Sequence, residues 1–82
     1  MSLQAVNQFV QELEGMSKQE LNKFAKRCVC RKLANEQRGA SGLDPGSELD
    51  LIHAEYVRRG LEKHYDMTFE SVVKNPDACN AA

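Results

Sequence analysis

The sequence predicts an all-α fold, a compact three-helix bundle with a short fourth C-terminal helix. Apolar residues recur at helical spacing in every long segment, and explicit helix-start signatures stand at the segment boundaries. No stretch alternates polar and apolar residues as a half-buried strand does. At 82 residues, with 41% hydrophobic and 28% charged residues, the chain has the composition of a single ordinary globular domain. That domain is expected over residues 1–76, with 77–82 as a frayed C-terminal tail. A chain this short buries only roughly 60–65% of the surface its unfolded form exposes, so a modest stability is expected.

The first helix is expected over about Leu3 to Glu14, where Val6, Phe9, Val10 and Leu13 make one apolar face. Ser2 can cap its start, and Gly15 stands where a left-handed C-terminal residue belongs. The second starts at Ser17: its hydroxyl can accept from the amide of Glu20, whose carboxylate can reach back to the amide of Ser17. Met16 and Leu21 have the spacing of a hydrophobic staple around this capping box. With no Gly or Pro before Gly39, the helix should run to about Gln37, on an apolar face of Leu21, Phe24, Ala25, Cys28 and Val29.

Gly39 to Gly46 holds three glycines and a proline in eight residues and reads as a connecting loop. It ends in Asp44-Pro45, a helix-start signature, with Ser47 as a rival cap. The third helix should then continue to about Tyr65 on a stripe of Leu49, Ile52, His53, Tyr56, Val57, Gly60 and His64. Gly60 inside that stripe points to close approach of another helix. A short fourth helix is expected from a Thr68 cap, with Met67 and Val72 as its staple, to about Lys74, before Asn75-Pro76 stops it.

Charge is segregated beneath a net of −1. From Ser17 to Arg38 there are seven basic residues against two acids, while acids predominate after Gly39. Lys23, Arg27 and Arg31 form one ridge of the second helix, which Arg38 rejoins, and Lys26 stands on the other side of the polar face. Such a ridge is either neutralised by neighbouring acids or displayed to a partner.

Motifs for catalysis, phosphate binding or metal ligation are lacking, so a non-enzymatic protein with no cofactor and no metal is expected. Cys28-Val29-Cys30 cannot chelate from a helix, because residues two apart diverge by about 200°. Cys28 falls on the apolar face and Cys30 on the polar one, where it reads as an incidental surface thiol or a redox-active one. Three cysteines are an odd count that suggests no disulfide framework, and with no signal segment they favour a reducing, cytoplasmic setting. His53 and His64, eleven residues apart, are separated by roughly 16 Å along one helix, too far to share an ion. Met1 to Leu13 resembles the amphipathic opening of Nif-type leader domains of cyanobacterial peptide precursors; the chain then departs from that pattern, and no function is carried over.

The expected function is that of a small regulatory, adaptor or inhibitor protein that binds another protein with an acidic surface. The contact residues would be Lys23, Lys26, Arg27, Arg31 and Arg38 with the adjacent glycine loop, and Arg58 and Arg59 as secondary contacts. A nucleic-acid-binding regulator using the same helix is the alternative, weakened because a helix-turn-helix joins its helices by three or four residues. A homodimer through Val57, Gly60, Leu61 and His64 is a further arrangement, and no segment is apolar enough to span a membrane.

Overall fold

A computed structural model of the chain describes residues 3–34 and 42–80. It is an all-α bundle of four helices: α1 (Leu3–Glu14), α2 (Lys18–Leu33), α3 (Pro45–Arg58) and α4 (Glu62–Lys74), closed by a 3-10 helix over Pro76–Asn80. No described helix is long and apolar enough to cross a membrane.

Local chemistry starts α2 and α3 where the sequence marks them. Ser17 and Glu20 form the capping box, with Ser17 N–H donating to Glu20 Oε1 at 2.9 Å and Glu20 N–H donating to Ser17 Oγ at 3.2 Å. Asp44 caps α3, accepting from Ser47 N–H at 3.2 Å, with Pro45 in the first turn. Ser47 does not cap; its hydroxyl donates to Asp44 at 2.7 Å. The α2 helix ends at Leu33 with Ala34 as its cap. The expected extension to Gln37, the Ser2 cap, the contact residue Arg38 and residues 39–41 of the connecting loop lie outside the described residues.

The long third helix expected from the sequence is two helices. Arg59 ends α3, Gly60 takes φ +73°, and the chain restarts at Glu62. Gly60 N–H donates to Val57 C=O at 3.0 Å and Leu61 N–H to Tyr56 C=O at 2.8 Å, the paired bonds of a Schellman motif. Gly60 therefore serves a left-handed turn and not a close helix crossing: nothing lies within 4 Å of a Cβ built there. Thr68 consequently sits inside α4 and caps nothing, and Met67, 66% exposed, forms no staple. Leu61 occupies the cap position without a side-chain cap bond.

The core lies between α2 and its neighbours. Helix α2 packs against both α3 and α4, and α1 lies on α3. Phe9 and Leu13 of α1, Leu21, Ala25, Cys28 and Val29 of α2, and Leu49, Ile52 and Tyr56 of α3 are buried on the expected faces. Each fully buried aliphatic side chain of this kind contributes roughly 1.5–3 kcal/mol relative to exposure. Leu43, in the segment read only as a loop, is 1% exposed and plugs the core. Tyr56 donates its hydroxyl to Asn22 Oδ1, tying α3 to α2.

The cysteines depart from expectation. The 3-10 helix packs on α2 and α4, and Cys79 is joined to Cys30 in a disulfide across 49 residues. Cys30 is therefore no free surface thiol, and residues 77–80 of the expected tail 77–82 lie in the 3-10 helix that Cys79 ties to α2; 81–82 lie outside the described residues. The pairing depends on the chain's return past α4, which local spacing does not encode.

Candidate protein-binding face on α2

The capping box that starts α2 fixes the helix phase, and the phase decides which charges point outward. Leu21, Ala25 and Cys28 face the core, so Lys23, Lys26 and Arg27 fall on the opposite, exposed side. Glu20 shares their ridge, but its carboxylate accepts from the Ser17 backbone, and that bond holds it below the usual carboxylate range, with a smaller pull from Lys23. Among the described residues, no ion pair within 4.0 Å engages Lys23, Lys26 or Arg27.

Three of the other arginines expected at the contact, Arg31, Arg58 and Arg59, are used within the fold. The Arg31 guanidinium meets Glu48 of α3 at 2.8 Å, and Glu48 is 1% exposed. Their pair lines a cleft of about 220 Å³ with Gln8, Phe9, Glu12 and Phe24, the two phenylalanine rings lying 5.6 Å apart. Cys28 Sγ stands 4.0 Å from the same Glu48 carboxylate; burial, then that charge, pushes the thiol up to about 12. Cys28 is thus an inert core residue.

Arg58 and Arg59 both hold Glu55, a side chain 4% exposed, with Arg59 Nε at 2.6 Å and Arg58 Nε at 3.1 Å. The Arg58 bonds, then those of Arg59, outweigh burial and keep the Glu55 carboxyl below its ordinary value. Arg59 also donates to the carbonyls of Leu13 at 2.8 Å and Met16 at 2.9 Å, so one guanidinium caps the end of α1 and fixes the α1–α2 turn to α3. Arg38 lies outside the described residues. The structure therefore brings Lys23, Lys26 and Arg27 together on one exposed face and places Arg31, Arg58 and Arg59 elsewhere, on buried acids.

Glu48 and Glu55 are among the third-helix acids expected to be able to neutralise the basic residues; that they are buried is what sequence reasoning missed. The spacing of Glu55 to Arg58 and Arg59, three and four residues, was a usable signal. Glu48 offered none beyond its place beside Leu49. His53 bridges α3 and α4, with Nε2 3.6 Å from Glu62 and its ring 4.7 Å from that of Tyr65. No cluster of potential metal ligands exists among the described residues. Comparison with known proteins yields no match to any family model, curated protein or solved structure.

Proposed function

We propose that the protein is a small non-enzymatic adaptor or inhibitor that binds the acidic surface of another protein through the exposed face of α2. The observation that carries this reading is the contrast between its cations. Arg31, Arg58 and Arg59 are held by internal acids, whereas Lys23, Lys26 and Arg27 stand exposed within one turn of a capped helix. A preformed helix presents these charges at little ordering cost, which favours recognition over a merely solvated surface. Its action would be occlusion or positioning of the partner. The cytoplasmic setting belongs to this proposal too, and the Cys30–Cys79 pair fits it only as a bond formed and broken reversibly.

The test compares the native protein with a Lys23→Glu/Lys26→Glu/Arg27→Glu variant, both tagged and passed over native lysate with and without nuclease. A stoichiometric protein retained by the native form after nuclease, and lost by a variant with unchanged helical circular dichroism, supports the proposal. Retention by both forms removes the α2 face from the contact. Loss of everything captured on nuclease treatment transfers the face to nucleic acid, where binding should fall steeply with salt.

A further inference from the structure

We propose that the Cys30–Cys79 disulfide is a reducible strap: a dithiol opens it and frees the C-terminal 3-10 helix from α2, while the four-helix bundle stays folded. This goes beyond the binding reading and does not depend on it.

Placement is the first support. Cys30 is about 200° around α2 from the buried Cys28, so the bond is made at the edge of the core, between two half-buried cysteines, and not through its centre. Its partner sits on a five-residue 3-10 helix that follows the last α-helix.

The second support is what holds the rest together. Ties independent of the disulfide join the helices: Arg31 to Glu48 and Tyr56 to Asn22 between α2 and α3, Arg59 to the α1–α2 turn, and His53 of α3 to Glu62 of α4. Pro76 and Asp77 are exposed, and no side-chain hydrogen bond or ion pair joins either of them to another described residue. Cys79 is partly buried and lies outside the set of fully buried core side chains. The disulfide is the segment's covalent attachment, beside the packing of the 3-10 helix on α2 and α4 and of Cys79 against the core edge.

The chemistry suits opening and reclosure. Reduced Cys30 has Lys26 four residues back and Arg27 three residues back on the same side of α2, and exchange proceeds through a thiolate. The third thiol does not interfere, because Cys28 is buried on the other side of α2 and held protonated. In the forward direction, one thiolate of a dithiol reductant attacks a sulfur of the pair and displaces the other as a thiol. The reductant's second thiol then resolves the mixed disulfide. Two electrons and two protons pass to Cys30 and Cys79, and the reductant leaves as its own disulfide. Opening uncovers the α2 surface one turn beyond Lys26 and Arg27.

The full-length oxidised chain is titrated with dithiothreitol, with thiols counted by alkylation and backbone opening followed by hydrogen exchange read by mass spectrometry. A Cys79→Ser variant, without reductant, is measured in parallel. The expected result is loss of protection at residues 76–80 alone, in both the reduced and variant proteins, with protection in α2, α3 and α4 retained and restored fully at 76–80 on reoxidation with glutathione disulfide. Protection lost throughout the bundle on reduction overturns the strap and makes the bond a structural staple. Protection at 76–80 that survives both reduction and substitution overturns it equally, as does alkylation of all three cysteines in the denatured, unreduced protein.

Discussion

Replacing Arg59 by Met should weaken the fold far more than the same change at its neighbour Arg58. Arg59 is 18% exposed and makes three kinds of bond at once: to Glu55, to Leu13 C=O and to Met16 C=O. Methionine keeps much of the side-chain volume and removes every donor. A hydrogen bond to a charged group is worth about 1.5–3 kcal/mol, but the two carbonyls, near a turn, recover some water when the guanidinium leaves. Glu55 keeps Arg58, so it is not left as a bare buried charge, and the total loss is about 3 kcal/mol. For a domain of this size, that lowers the melting temperature by roughly 12–24 °C. Arg58, 59% exposed, bonds only to Glu55 in a position that water screens, so Arg58→Met should shift the midpoint slightly. The assay is urea unfolding followed by helical circular dichroism, with the disulfide kept oxidised and the m-value checked for constancy. Equal midpoints for the two variants would refute the claim that Arg59 ties α1 and its turn to α3.

Three further outcomes are expected. Tyr56→Phe removes the hydroxyl donated to Asn22 while preserving the buried ring, and should cost about 1 kcal/mol in the same assay. Gly60→Ala places a β-carbon at φ +73°; since nothing crowds that atom, the loss is conformational alone, about 1–2 kcal/mol by thermal unfolding. The Glu55 carboxyl is held low in the folded state by Arg58 and then Arg59. Its contribution is therefore complete above the carboxylate range and lost as pH falls through the folded value. Glu55→Gln should accordingly lower stability at neutral pH and flatten its decline toward acid, measured as the urea midpoint at a series of pH values.

What the sequence revealed and what it hid divide along physical lines. Interactions within about four residues were legible: the Ser17–Glu20 box, the Asp44-Pro45 start, and the apolar faces of α1, α2 and α3. The break at Gly60 was hidden because Leu61 and Tyr65 continue the 3.6-residue period on its far side, so periodicity alone reads through a turn that ends one helix and starts the next. The internal use of Arg31, Arg58 and Arg59 was hidden for a different reason. Charges on a helical wheel say which side a residue occupies, but not that Glu48 and Glu55 are 1% and 5% exposed beneath them. The cation ridge was thus visible as composition, and its split into held and displayed members required the packing of α2 against α3.

The energetic size of the disulfide separates a strap from a staple without any binding partner. In the chain-entropy description, closing the 49-residue separation in the unfolded state costs roughly 4 kcal/mol at room temperature. If residues 76–80 remain ordered against α2 when reduced, the folded state gains nothing on reduction, and the whole of that figure appears as lost stability. If they come free, the reduced folded state regains the freedom of a flap of about five residues hinged at the end of α4. Because closure entropy depends on the logarithm of length, only the ratio of the two loops then survives, roughly 2 kcal/mol. Urea unfolding of the oxidised protein and of the Cys30→Ser/Cys79→Ser variant measures the difference directly. A loss near the smaller value accords with a segment released from a bundle that stands without it. A loss near the larger one, with a single cooperative transition in both forms, would mean that the 3-10 helix is bound into the fold and that the bond cannot act as a strap.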